Sequence, residues 1–240
     1  MFKLKNTKIN AYFLIGSIVI AYFNFSDMKT VFAEVGRSIT DSGWREIQFA
    51  DKKANHFVKC GQDCIKIDSA SSVSMIRRSL KIDITEKKFL SWEWKLIFPP
   101  APSELEKKGQ DDRPLAVYIT FPFDKKNASI SERSIRRLLE LRYGKEAPGR
   151  VLSYVWASTM PIGEAVESPF GGSQHKMIIK RNGASELNTW LGEKVNVFAD
   201  YKDTFGIEPE GVLEILISSD TDDTRSVSSG FVRRIQFSSY

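Results

Sequence analysis

Short runs of β-branched and aromatic residues, separated by Gly, Pro, Asn and Asp, recur along the chain from residue 57 onward. Runs of this kind are typical of strands, and their regular spacing is typical of a β-sandwich or barrel. The alternation of strands and helices that marks an α/β fold is missing. The sequence therefore predicts an all-β fold. The predicted strands are Phe57–Lys59, Cys64–Ile67, Leu80–Ile84, Leu90–Phe98, Leu115–Phe121, Val151–Trp156, Lys176–Lys180, Val195–Phe198, Val212–Ile217 and Phe231–Phe237.

The tryptophans divide into two groups. Trp92 and Trp94 alternate with Glu93 and lie, like Trp156, in apolar strands, which favours packing in the core. Trp190 lies among Asn188, Thr189 and Gly192, a context typical of a loop. An exposed indole ring there could stack on a sugar, and a buried ring would only fill space. Trp190 is therefore the candidate ligand-binding residue, with burial as the alternative.

One segment departs from the β pattern. Ser129 and Glu132 have the spacing of a capping box, apolar residues recur at positions 135, 138 and 139, and Gly144 can end a helix. These signals predict one short helix of about a dozen residues. A further helical turn is predicted over Asp200–Phe205, with Asp200 as N-cap and Gly206 as the stop.

The N-terminus has the pattern of an export signal. Lys3, Lys5 and Lys8 precede the apolar stretch 11–25, and Val31-Phe32-Ala33 offers residues that a signal peptidase reads. We therefore expect a signal peptide over residues 1–33, a single domain over residues 34–240, and a periplasmic or secreted protein. An uncleaved N-terminal anchor is the alternative.

Charge argues against a nucleic-acid partner. Four lysines and one aspartate in residues 1–33 account for +3 of the net charge of +5. The chain that remains after cleavage is nearly neutral, so it lacks the basic surface that phosphates need. We also expect no membrane association once the signal is removed.

The two cysteines, Cys60 and Cys64, bracket Gly61-Gln62-Asp63 between two predicted strands. In an oxidising compartment this arrangement favours a disulfide across a tight hairpin. A catalytic dithiol is the alternative, although the spacing is not C-x-x-C and no helix start follows.

An acidic loop, Asp220-Thr221-Asp222-Asp223-Thr224, follows a predicted strand. Carboxylates in a loop can converge on Ca²⁺, so Asp220, Asp222 and Asp223 are candidate ligands and Ca²⁺ is the one cofactor that the sequence suggests. The loop is not an EF-hand, because Arg225 occupies the position that requires Gly. A turn whose Asp and Thr side chains cap its own backbone is the alternative.

A glycosidase would need two facing carboxyl groups, for which Asp111, Asp112 and Glu93 are weak candidates. Basic neighbours of the aspartate pair favour ionisation of both groups, whereas catalysis needs one of them to stay protonated. This argues against an enzyme. His56 and His175 lack the spacing of a zinc site, and a G-x-S-x-G elbow and a glycine-rich nucleotide loop are absent from the sequence.

Several motifs follow one another along the chain: Trp92-Glu-Trp94, Lys108-Gly-Gln-Asp-Asp112, Tyr154-Val-Trp156, Asp200-Tyr-Lys-Asp-Thr-Phe-Gly206 and Asp220-Thr-Asp-Asp-Thr224. Together they resemble a family of exported bacterial proteins that is a domain of unknown function. The resemblance spans about residues 44–237 and implies a jelly-roll-like β-sandwich of the lectin or carbohydrate-binding-module type. Glu93 and Gln110 depart from the family pattern, which has a basic residue between the tryptophans and Gly before the aspartates.

These observations predict an exported, non-catalytic β-sandwich that binds a glycan or another cell-envelope ligand. One alternative is a carbohydrate-active hydrolase on the same fold. Another is an envelope interaction or assembly protein, with the basic helix over Ser131–Tyr143 as the contact surface.

Overall fold

The computed structural model describes residues 37–128, 130–143 and 148–240, and the predicted export signal lies outside them. Two β-sheets pack face to face as a jelly-roll-like sandwich, which confirms the predicted fold class. Within the described residues the strands are β1 Arg45–Gln48, β2 His56–Lys59, β3 Cys64–Ala70, β4 Val73–Ile82, β5 Phe89–Phe98, β6 Arg113–Thr120, β7 Val151–Trp156, β8 Ala165–Ser168, β9 Gly172–Arg181, β10 Leu191–Asn196, β11 Val212–Asp220 and β12 Val227–Ser238. The helices there are α1 Arg37–Thr40, α2 Ile130–Tyr143 and α3 Val197–Phe205.

The larger sheet has the order β1-β4-β11-β6-β7-β9-β8 and the smaller one β10-β5-β12-β3-β2 in the described part of the chain. Neighbouring strands run antiparallel there, apart from the parallel pair β7 and β9. Most neighbours in each sheet are distant in sequence, so residues from separate loops meet at the sheet ends.

Aromatic residues fill the space between the sheets. Trp92 and Trp94 on β5 are almost completely buried, as the alternation of this strand predicts. The ring of Trp92 lies 5.3 Å from that of Tyr154, and the ring of Trp94 lies 5.6 Å from that of Trp156. Both partners belong to β7 of the opposite sheet, so these contacts join the two layers.

The outer face of the larger sheet is also covered in its middle. Every residue of β6 and β7 is buried. A second apolar cluster on this face includes Tyr118, Met177 and Leu216, together with Leu105 from the segment before β6. The central strands therefore offer no open groove on this face within the described residues, and access is left to the ends of the sheet.

The structure has two helices longer than one turn in its described part, where the sequence predicted one with a further helical turn. Helix α2 covers the predicted segment, although its predicted caps, Ser129 and Gly144, lie outside the described residues. None of the described helices is long and apolar enough to span a membrane.

Helix α3 begins earlier than predicted. Its N-cap is Asn196, whose side chain accepts a hydrogen bond from the Ala199 N–H at 3.0 Å, so Asp200 as N-cap was wrong. The strand predicted to reach Phe198 ends at Asn196 for the same reason. Gly206 ends the helix in a left-handed conformation with φ of 73°, as predicted.

Strands β2 and β3 form an antiparallel hairpin. Cys60 and Cys64 are joined by a disulfide at its tip, with Cα atoms 5.0 Å apart. The Cys60 N–H also donates a 2.9 Å hydrogen bond to the Cys64 carbonyl.

Candidate functional site

Strand pairing brings the two acidic segments of the sequence together at one end of the larger sheet. Asp220, the last residue of β11, lies opposite Arg113, the first residue of β6. Asp111 and Asp112 directly precede β6, and the Asp111 N–H points to a carboxylate oxygen of Asp223, 112 positions away in sequence. The sequence predicted Asp111 and Asp112 as weak catalytic candidates and Asp220, Asp222 and Asp223 as candidate metal ligands, and the structure brings the two groups together.

Asp112 holds the loop that follows β11. Its buried carboxylate accepts hydrogen bonds from the backbone N–H groups of Asp223 at 3.2 Å and Thr224 at 2.8 Å, and from the Thr224 hydroxyl. The loop is thus a capped turn, but the cap comes from a distant segment and not from the loop's own side chains.

Arg113 connects the segment that precedes β6 to the end of β11. Its guanidinium donates to the Asp111 carbonyl at 2.7 Å and to the Asp111 carboxylate at 3.1 Å, and lies 3.7 Å from the Asp220 carboxylate. Its Nε donates to the Tyr118 hydroxyl at 3.0 Å. Burial lowers the pKa of Arg113, but Tyr118, Asp220 and Asp111 raise it overall, so the side chain keeps its charge.

A cavity of about 340 Å³ lies beside this cluster. Its polar wall includes the buried carboxyl groups of Asp111 and Asp220. Asp220 shares a side-chain hydrogen bond with Asp222, whereas the Oδ1 atom of Asp111 has no hydrogen-bond partner among the described residues. A buried acceptor that lacks a donor costs about 1–3 kcal/mol, so this oxygen favours a donor supplied from outside the chain. The other lining residues are Phe49, Ala50, Lys52, Val73, Met75, Lys108, Gly109, Arg113, Phe170, Asp222 and Asp223.

Negative charge is concentrated at the same place. Asp112, Asp222 and Asp223 each offer an oxygen, and these oxygens lie within 4.8 Å of one another. Two like charges about 5 Å apart repel by about 3 kcal/mol at an effective dielectric constant of about 20. The Lys52 ammonium pairs with Asp222 and offsets part of this repulsion. The predicted metal ligand Asp220 is not in this group, because it faces Arg113, and Asp112 stands in its place.

Two of the carboxyl groups, those of Asp223 and Asp220, have raised pKa values. Burial raises the pKa of Asp223 to about 6, with further contributions from Asp111, Asp222 and Asp112. Burial also raises the pKa of Asp220 well above its ordinary value, although Arg113 acts in the opposite direction. Asp220 therefore keeps its proton at a higher pH than an ordinary aspartate does.

A buried polar network supports the base of the cavity, and the sequence analysis missed it. The Asn55 amide donates to the carbonyls of Ser74 at 3.0 Å and Ser219 at 2.7 Å, and accepts from the Ser72 hydroxyl at 2.8 Å. Thr221 joins the network through Ser69 at 2.7 Å. The available signal was the group of small polar residues within or beside apolar strands.

Glu93 and Trp190 lie elsewhere, with the smaller sheet. Glu93 accepts hydrogen bonds from Arg233 at 2.6 Å and Arg234 at 2.7 Å, so the structure does not bring it to Asp111 and Asp112. Trp190 is half-buried. The Arg233 guanidinium lies 3.8 Å from its ring centroid, and Lys95 lies at 5.0 Å.

The architecture defines a two-sheet β-sandwich with an acidic cavity at one end of its larger sheet. The chain belongs to the family described as "Protein of unknown function (DUF3047)", which matches residues 42–236. This confirms the expected membership of a domain-of-unknown-function family. No curated protein matches the chain.

Several solved structures are similar to this chain at low sequence identity. The xyloglucanase domain of NopAA, a type three effector from Sinorhizobium fredii, in complex with cellobiose, is 9% identical with a TM-score of 0.43 and covers 83% of this chain and 95% of that one. A cellulase derived from Cel12A of Rhodothermus marinus is 12% identical with a TM-score of 0.45, covering 84% and 94%. The family 11 carbohydrate-binding module of a Clostridium thermocellum cellulase is 10% identical with a TM-score of 0.42, covering 82% and 87%.

Proposed function

We propose that this protein is an exported, non-catalytic β-sandwich that binds a glycan in the acidic cavity. The observation that carries the proposal is the unpartnered Oδ1 atom of Asp111. Asp111 lines the cavity and is buried, so a ligand that donates a hydrogen bond to this oxygen would remove an unfavourable contribution to the free energy.

The remaining walls fit a sugar. Phe49 and Phe170 supply aromatic surface against which the C–H groups of a pyranose ring can pack, while carboxylates and lysines can bind its hydroxyls. The volume of about 340 Å³ falls within the range of small-ligand pockets, about 300–1,000 Å³. Four aspartates line the cavity, and Asp112 lies beside two of them, against Lys52, Lys108 and Arg113, which disfavours an anionic saccharide.

The test is a glycan-array screen of residues 34–240, followed by calorimetric titration of the best ligand. Phe170→Ala should lower the affinity by about tenfold, because it removes one aromatic wall. Phe198→Ala is a matched control: Lys88 lies 5.0 Å from the Phe198 ring, much as Lys108 lies 5.3 Å from the Phe170 ring. Equal losses in the two variants, or no retained glycan, would refute the proposal. N-terminal sequencing of the exported protein tests cleavage after Ala33.

A hydrolase is the second candidate, and the unequal carboxyl groups favour it. Asp223, with its pKa raised to about 6, could act as the acid, and Asp111, which accepts a hydrogen bond from Arg113, would be the second carboxyl group. We expect the protein to release no reducing ends from a glycan that it binds. Release that is lost in Asp223→Asn would instead establish the enzyme.

The interaction-protein alternative has less support from the basic helix. In α2, Arg136 is buried and its Nε bonds to Glu140 at 2.8 Å. Arg133 donates to the Ala128 carbonyl at 3.0 Å. These arginines contact their own chain, which weakens the case for α2 as a basic contact surface.

A further inference from the structure

We infer that Asp112, Asp222 and Asp223 bind a Ca²⁺ ion at the edge of the cavity, and that the Lys52 ammonium is the ion's intramolecular competitor. The inference deepens the proposed function, since Asp222 and Asp223 line the same cavity, but the ion can be tested without any glycan.

The geometry fits calcium. Ca²⁺–oxygen bonds measure about 2.3–2.6 Å, so two ligands on opposite sides of the ion lie about 4.6–5.2 Å apart. The oxygens of the three aspartates lie within 4.8 Å of one another and so can contact one ion together. Mg²⁺ demands near-ideal octahedral geometry and gives up its waters reluctantly, so three carboxylates on two loops suit Ca²⁺ better.

The ligands keep lone pairs for an ion. Asp112 Oδ1 accepts a single hydrogen bond, from the Asp223 N–H at 3.2 Å, and a carboxylate oxygen can accept two. Because Asp112 also bonds the Thr224 N–H, it fixes the loop that carries Asp222 and Asp223. The ligand set is thus organised by the fold before an ion arrives.

A second observation, separate from the cluster, indicates that this site needs a cation. The Oδ1 atom of Asp111 is buried at the same cavity and lacks a hydrogen-bond partner among the described residues, and Asp111 itself is only 1% exposed. Arg113 binds the other oxygen of this carboxylate. Three aspartates contribute three to six oxygens, and Ca²⁺ takes six to eight, so water or sugar hydroxyls would complete the shell.

Lys52 provides a second, independent test of Asp222 as a ligand. Its ammonium pairs with Asp222, so an ion that binds Asp222 must displace it. Removing the ammonium should therefore strengthen calcium binding while leaving every carboxylate in place.

The experiment is calorimetric titration of chelator-treated protein, residues 34–240, with calcium chloride alone and then with magnesium chloride. We expect one saturable calcium site with a dissociation constant of about 0.1–1 mM, in the range of extracellular modules. Asp222→Asn should weaken binding at least about tenfold, and Lys52→Met should strengthen it about threefold or more. Asp203→Asn, which changes an exposed aspartate on α3, should have no effect.

The inference is overturned if no saturable binding occurs up to about 10 mM calcium, if magnesium binds more tightly, or if Lys52→Met leaves the affinity unchanged. Lys52→Met keeps the test decisive should Asp222→Asn fail to fold. A glycan that still binds in chelator, without a calcium site, would refute this inference and leave the proposed function standing. Calcium binding by a protein that binds no glycan would support this inference and refute the proposed function.

Discussion

The acidic cavity and the surface formed by Glu93, Trp190 and Arg233 on the smaller sheet both contain carboxylates, cations and aromatic rings. They differ in whether these groups are satisfied by one another. In the cavity, carboxylates are buried, outnumber the cations and include the unpartnered oxygen of Asp111. On the smaller sheet, Glu93 is paired with two arginines, and the Trp190 ring already carries the Arg233 guanidinium. A surface whose groups satisfy one another has little left to offer a ligand. The comparison teaches that unmet hydrogen-bonding capacity, more than residue type, marks the candidate site.

The largest contrast should come from removing an arginine on each side. Arg113→Met leaves the buried Asp111 carboxylate without its cation, which should lower the free energy of unfolding by about 3–5 kcal/mol. Arg233→Met removes a surface ion pair with Glu93 and should cost about 1 kcal/mol or less. Urea unfolding of both variants measures the difference. Equal losses would contradict the distinction between the two regions.

A smaller contrast is expected for the carboxylates. Asp112→Asn places an amide where two backbone N–H groups and a hydroxyl now donate, and should cost about 2–3 kcal/mol. Glu93→Gln on the exposed surface should cost less than about 1 kcal/mol. The same unfolding measurement applies. A neutral Asp112→Asn would show that the loop does not depend on this cap.

The pH dependence of stability offers a third measure. The pKa of Asp223 is about 6 in the folded state, above its ordinary value of 3.8, so the folded protein binds this proton more tightly. The stabilisation is fully present below about pH 4 and is lost as the pH rises through about 6. Solvent screening at this half-buried group limits the effect to about 1 kcal/mol.

His175 acts with the opposite sign. Burial lowers its pKa to about 3, so its contribution to stability is lost as the pH falls below about 6.5. The measurement is therefore the difference in unfolding free energy between the wild type and Asp223→Asn at pH 4.5 and 7.5, since His175 is present in both. No change in that difference with pH would contradict the raised pKa.

The smallest effect should be that of Trp190→Ala on glycan affinity, at most about twofold, because its ring already contacts Arg233. The calorimetric titration used for Phe170→Ala measures it. A loss of tenfold or more would locate the ligand on the smaller sheet and reverse the comparison.

The short edge strands show where sequence patterns stop being informative. β1 and β8 have four residues each, too few to display an alternation, and the sequence predicted neither of them, whereas the equally short β2 was found from its Phe57-Val58 pair. The start of α3 was misplaced because Asn196 ends an apolar run that resembles a strand while its side chain caps a helix. The long strand β5, with its two buried tryptophans, was predicted closely because its period-two pattern spans ten residues.

The candidate site was predicted in pieces. Asp111, Asp112 and the Asp220–Thr224 loop were each identified from local chemistry, since carboxylates in loops after strands are suited to ligands. Their union, the contribution of Arg113 and the buried network around Asn55 were not predicted. These features depend on contacts between residues more than 100 positions apart, such as Asn55 with Ser219, Asp111 with Asp223 and Arg113 with Asp220, for which one sequence carries no local signal.

The sequence by itself determined the all-β class and the buried face of β5, because side chains alternate across a strand and tryptophan is driven from water. Only the tertiary structure decided that Asp112 would cap a distant loop, that Asp111 would retain a buried, unpartnered oxygen, and that Glu93 would lie away from both. The physical reason is that strand pairing sets which loops meet, and burial then sets how strongly their charged groups interact and how far their pKa values shift.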